Sequence, residues 1–126
     1  MGIVASGQTV RNKVRLSNSV SGVTDANGNL SLIFNGPKPN QIWTMTRFSI
    51  QIPETKKIPS FRVYKGIETP TNFLTSSATG QNDTDELPET TMHPGEFLTC
   101  VWTGADANVR ATFFAEGVND YGVPQH

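Results

Sequence analysis

The chain has little with which to do chemistry. Its 126 residues include a single cysteine, Cys100, and two histidines, His93 and His126. One thiol cannot close an internal disulfide, and two imidazoles are too few for a metal site of the usual His and Cys spacing. Net charge is nearly absent as well, since 10 Lys and Arg stand against 11 Asp and Glu for a formal total of −1. Such a balance gives no long-range pull toward nucleic acid or an anionic membrane. Long apolar runs are missing too, and nothing approaches the roughly 18 residues of a membrane-spanning helix. The opening Met1-Gly2-Ile3-Val4-Ala5-Ser6-Gly7 has neither a basic segment nor an apolar stretch of the secretory kind. The expectation is a soluble chain made in the cytosol and held together by packing alone.

Helical periodicity is the last absence, and period-2 alternation stands in its place. Val10, Val14 and Leu16 alternate with Thr9, Arg11, Lys13 and Arg15, and Leu30, Leu32 and Phe34 share one phase after the Asp25-Ala26-Asn27-Gly28-Asn29 stretch. The Asn-Gly pair tolerates positive φ and predicts a hairpin there. Asn35 to Asn40 carries two prolines and forces a turn. From Gln41 to Ile52 a long, central strand is predicted. Ile42, Phe48, Ile50 and Ile52 fall on one of its faces and Trp43, Met45, Arg47 and Gln51 on the other, so both faces are expected to be covered over part of its length.

Phe61 and Val63 alternate with Arg62 and Tyr64, and Phe73-Leu74 opens a short piece that gives way to the polar stretch Ser76 to Glu86, read as an exposed loop. Leu87 to Met92 reads as an edge strand blunted by Pro88. Phe97 to Trp102 and Val109 to Gly117 read as a final hairpin, with Phe113, Ala111 and Ala115 opposite Arg110, Phe114 and Glu116. About eight short strands argue for an all-β, two-sheet antiparallel sandwich, jelly-roll-like or related. One domain over residues 8–117 is expected, with an N-terminal arm over 1–7 and a C-terminal tail over 118–126.

No catalytic constellation emerges. His93 fits a turn or strand end, and Cys100 sits in an apolar alternation where it behaves as a small hydrophobe. The acidic run Asn82-Asp83-Thr84-Asp85-Glu86 gathers oxygen donors but lacks the order of a calcium loop, so a solvated loop is the better reading. Trp102 is expected to anchor the core, and glycines 66, 80, 95 and 104 suit turns with positive φ. Trp43, Tyr64 and Tyr121 would line a carbohydrate platform if exposed together, although aromatics in a sandwich more often lie between its sheets. Trp43 and Tyr64 are the candidate glycan contacts. No catalytic, metal or cofactor-binding residue is assigned.

A resemblance enters over residues 61–117. Phe61-Arg62-Val63-Tyr64-Lys65-Gly66, Pro70, Phe73-Leu74, Thr79-Gly80, Asp83-Thr84-Asp85, Pro94-Gly95-Glu96, Leu98-Thr99, Val101 to Asp106, Ala111-Thr112 and Glu116-Gly117 together resemble small β-sandwich structural proteins of tailed bacteriophage virions. The resemblance implies a non-enzymatic virion component made in the host cytoplasm. The first expectation is a capsid decoration protein bridging major capsid subunits. The alternative is a tail or baseplate protein that recognises host glycans. Major capsid protein or other virion subunits are the expected partners, in a lattice or oligomer, with nucleic acid and membrane excluded. Ile3, Val4, Tyr121 and Val123, on the two terminal arms, are the candidate partner contacts.

Overall fold

A computed structural model describes residues 9–53, 56–77 and 83–124. Its strands are β1 (Thr9–Val23), β2 (Leu30–Asn35), β3 (Gln41–Gln51), β4 (Ser60–Lys65), β5 (Phe73–Ser77), β6 (Asp83–Met92), β7 (Phe97–Thr103) and β8 (Arg110–Pro124), with one 3-10 turn at Pro70–Asn72. They form two antiparallel four-stranded sheets, sheet A in the order β1-β8-β3-β6 and sheet B in the order β2-β7-β4-β5. Every connection except β4 to β5 crosses from one sheet to the other, which makes a jelly-roll-like sandwich. Among the described residues no helix is long and apolar enough to cross a membrane.

The core is the interface of the two inner faces. Sheet A contributes Leu16, Trp43, Met45, Phe48, Ile50, Ala111, Phe113 and Ala115, and sheet B contributes Phe34, Phe61, Val63, Leu98, Cys100 and Trp102. Rings interlock at the centre, with Phe61 on Trp102 at 4.6 Å and Phe34 edge-on to Phe113 at 5.4 Å between centroids. The small side chains Ala111 and Ala115 flank Phe113 and leave room for it to reach across. Trp102 is the expected anchor, fully buried, although among the described residues its indole N–H finds no hydrogen-bond acceptor.

Four expectations need correction. First, β3 does not bury both faces. A bulge at Thr46, where the register against β8 shifts between Met45 and Arg47, moves the apolar phase from odd to even residues, so Trp43, Met45, Phe48 and Ile50 all face inward. The bulge depends on Gly117, because a Cβ there would collide with the carbonyl oxygen of Thr44. Second, neither predicted hairpin is one. The chain does reverse at Asp25–Asn29, where the Asp25 carboxylate accepts the N–H groups of Asn27 at 2.8 Å and Asn29 at 3.0 Å, but β1 then pairs with β8 and β2 with β7. The loop after β7 likewise leads into the other sheet.

These two reversals are knitted together at one end of the sandwich. Thr24 N–H donates to Val109 O at 2.8 Å, its hydroxyl donates to Asp106 O at 2.8 Å, and Ala105 N–H donates to Gly28 O at 3.0 Å. Third, residues 83–86 are strand rather than loop, since β6 pairs with β3 from Asp83↔Ile50 to Glu86↔Arg47. Fourth, the domain boundary expected at 117 falls inside β8, which runs on to Pro124 against β1. Residues 118–124 are thus sheet and not tail. Met1 to Gly7, including Ile3 and Val4, lie outside the described residues, as does Gly80. Gly66, Gly95 and Gly104 do hold positive φ, at 96°, 87° and 79°.

Candidate functional site

The two outer faces differ, and the candidate site lies on sheet B. Register places Ile33, Thr99, Tyr64 and Phe73 in one row across β2, β7, β4 and β5. The next row runs Ser31, Val101, Arg62 and Ser76. The ends of the first row are bare, with Ile33 47% and Phe73 46% exposed, yet its middle is covered, Thr99 and Tyr64 showing only 5% and 6%. The cover is the chain's own loop between β4 and β5. Gly66 N–H donates to Phe97 O at 2.9 Å, and the Thr99 hydroxyl donates to Gly66 O at 2.6 Å, which draws the loop down over β7.

Beyond Gly66 the loop is held by the Asn72 side chain, whose amide donates to Ile67 O at 3.0 Å, and by the turn begun at Pro70, whose fixed φ suits the first helical position. Ile67 is left exposed above the sheet. Phe73 then meets Tyr64 edge-on, centroids 5.9 Å apart and planes at 70°. The result is a groove of about 620 Å³ with Tyr64, Phe73 and Pro70 as apolar walls and Arg62, Glu68 and Thr69 as polar rim. An aromatic floor with one cation and one anion beside it suits a protein loop, an extended peptide or the face of a sugar ring.

Of the residues singled out in the sequence, Tyr64 alone belongs to this site. Trp43 does not: it packs against Phe34 at 6.0 Å on the inner face of sheet A, so the bulge that turned it inward removes it from any platform. Tyr121 is partly buried on sheet A, opposite Asn12 and Gln41, and Val123 is paired through its backbone with Val10. The three aromatics are therefore not brought together. Ile33, Ile67 and Phe73 were missed. A signal existed for the first, because Leu32-Ile33-Phe34 breaks the alternation and puts an apolar residue in the outward phase.

The other titratable groups fall elsewhere. Cys100 is wholly enclosed between the sheets, and burial pushes its thiol far above the usual range. Glu96 and His93 close the turn between β6 and β7, where the Glu96 carboxylate accepts the His93 backbone N–H at 2.6 Å and contacts its ring nitrogen at 3.1 Å. The backbone bond is the main cause holding the Glu96 carboxyl below its ordinary value, against a smaller opposing effect of desolvation. Lys65, 3.7 Å away, adds to the lowering. Among the described residues no three His, Cys, Asp or Glu side chains are grouped to hold a metal ion.

No protein-family model matches the chain, and no curated protein matches it. Among solved structures, a chain from the disulfide-linked pili of Bacillus endospore appendages is similar over 98% of this chain and 97% of its own, at 14% identity and a TM-score of 0.49. A chain from infectious bursal disease virus, Gx strain, is similar over 91% of this chain at 11% identity and a TM-score of 0.37, and this chain spans 32% of its length.

Proposed function

We propose that the protein is a non-enzymatic structural component of a bacteriophage virion, a decoration protein that bridges major capsid subunits. The observation that supports this reading is the row of exposed apolar side chains on sheet B. Ile33 and Phe73 lie in one row with Ile67 above them, whereas the outer face of sheet A sets Glu116, Arg47 and Glu86 in one row beside the exposed Val118. A docked sheet B would bury Ile33, Ile67 and Phe73 against the shell. Binding to assembled capsid and not to free subunits stabilises the assembled state by mass action. The virion setting rests on the resemblance of residues 61–117.

Labelled protein incubated in parallel with empty shells, tails and host cells tests the proposal. Saturable binding to shells in a fixed ratio is expected, together with a higher temperature of particle rupture. Ile33→Asp with Phe73→Ser should abolish shell binding and leave the circular dichroism spectrum unchanged. Binding to tails or cells without binding to shells rejects decoration. The Tyr64 and Phe73 ring pair favours one second reading, a tail or baseplate protein that stacks a host sugar. Cell binding lost on Phe73→Ala and competed by soluble glycan would select it.

A further inference from the structure

We infer that β1 is a self-association edge: two copies pair their β1 strands antiparallel and fuse their A sheets into one. Among the described residues, sheet order leaves four strands at edges, β1 and β6 in sheet A and β2 and β5 in sheet B. Exposed edges invite pairing and are ordinarily blunted by short length, proline, bulges or charge. Three of the four are blunted here. β2 has 6 residues and β5 has 5, while β6 is interrupted by Pro88 and by the register shift against β3. β1 carries the charges Lys13 and Arg15 but differs in having 15 residues, no proline and an unbroken register against β8 from Thr9↔Pro124 to Val23↔Arg110.

The backbone phase shows which groups face outward. Thr24 N–H continues the bonding toward β8, so even-numbered residues of β1 turn their N–H and C=O groups to that neighbour and odd-numbered ones turn theirs away. Ser19 fits this phase, because its N–H bonds the adjacent Asn18 Oδ1 at 2.9 Å rather than β8. Apart from the Ser19 N–H, from which Asn18 must be displaced, the row of outward backbone groups offers a ladder to a second strand, the mode of binding known as β-augmentation.

The side chains select what that strand is. Lys13 and Arg15 lie in one half of β1, and Ser17, Ser19 and Ser21 in the other, with no acidic residue in the strand. A parallel or Arg15-centred pairing would oppose like charges, which destabilises a ladder. An antiparallel pairing with Ser17 on the two-fold axis instead sets Arg15 opposite the partner's Ser19 and Lys13 opposite the partner's Ser21. In the same register Val14, 44% exposed in the single chain, meets the partner's Val20. The strand is therefore complementary to itself in a register that the cations help to fix. The acidic edge β6 of another copy is the competing occupant, but its proline and bulge leave only three or four consecutive residues on each side to pair. That contact would also build open chains of molecules rather than dimers.

Sedimentation of the full chain over a concentration series, with light scattering, tests this inference independently of any capsid role. A reversible monomer–dimer equilibrium is expected. Ser17→Pro removes an outward N–H and no bond to β8, and should leave a monomer with an unchanged circular dichroism spectrum. A second pair of variants keeps the backbone intact. Ser19→Lys with Ser21→Lys should weaken dimerisation by roughly tenfold, and Ser19→Glu with Ser21→Glu should tighten it by about as much, from charges placed directly opposite. Oxidation of Ser17→Cys should give a covalent dimer, whereas Ser21→Cys should not. The inference is overturned by a monomer persisting to about 1 mM, by a dimer indifferent to the charge variants, by open polymers, or by cross-linking at position 21 in place of 17.

Discussion

The outer faces of the two sheets are built from strands of the same sandwich and solve the exposure of a flat surface in opposite ways. On sheet A the row Ser17, Glu116, Arg47, Glu86 alternates charge over β8, β3 and β6, and the row below it pairs the hydroxyls of Ser49 and Thr84 at 3.0 Å beside Phe114. Opposite charges side by side on a sheet stabilise modestly and keep the surface wet. On sheet B the corresponding row is apolar, and the chain folds its own 66–72 loop over the middle of it. The difference teaches that outward phase does not mean exposed. Tyr64 is an outer-face residue with the burial of a core residue, and Phe73 is its half-open continuation.

Five substitutions, the last read by titration, sharpen or break this contrast. The largest effect belongs to neither face: Trp102→Ala should cost about 3–5 kcal/mol in urea unfolding, as large aromatic truncations in cores do. A neutral result would mean that Trp102 does not sit in the core between the sheets. Next, Tyr64→Ala should cost about 2–3 kcal/mol by loss of its buried area, and Phe114→Ala on sheet A about 1 kcal/mol, because that ring is only partly buried. Equal costs at the two positions would break the comparison. Arg47→Ala, which removes the cation between Glu116 and Glu86, should cost about 0.5–1 kcal/mol and less in high salt.

The smallest effect is a titration. The Glu96 carboxyl is held below its ordinary value of 4.5, chiefly by the His93 backbone N–H, so it binds protons more readily in the unfolded chain. Its contribution to stability is complete above that ordinary value and is lost as pH falls through the lower folded value. Glu96→Gln should flatten the acid limb of the stability profile slightly and leave neutral pH almost unchanged. A steeper acid limb in the variant would contradict the sign.

Fold class was legible because period-2 patterning depends only on which face each residue sees. Leu98, Cys100 and Trp102 in β7 and Ala111, Phe113 and Ala115 in β8 could be assigned to the core from alternation alone. Pairing was less legible. A turn such as Asp25–Asn29 reverses the chain equally well within a sheet or between sheets, and local residues do not distinguish the two. The odd-to-even switch along β3 was present in the sequence, but two apolar faces and one bulged face leave the same pattern there. Only the close passage of Gly117 against Thr44 decides between them. The candidate site was half visible in Tyr64 and hidden in its cover, since Thr99 and Asn72 place the loop by side-chain bonds to the carbonyls of Gly66 and Ile67, which leave no periodic signal in the sequence.

The pairing of β1 with β8 has a consequence for how the fold is made. The first strand finds its neighbour only after residue 110 has been synthesised, because Val23 faces Arg110 and the rest of the ladder lies farther along. On the ribosome β1 must therefore wait, unpaired, while β2 to β7 emerge. Closure then resembles fastening a belt after the body is in place, and the high contact order of such a ladder puts folding in the slow, millisecond-to-second range of all-β domains.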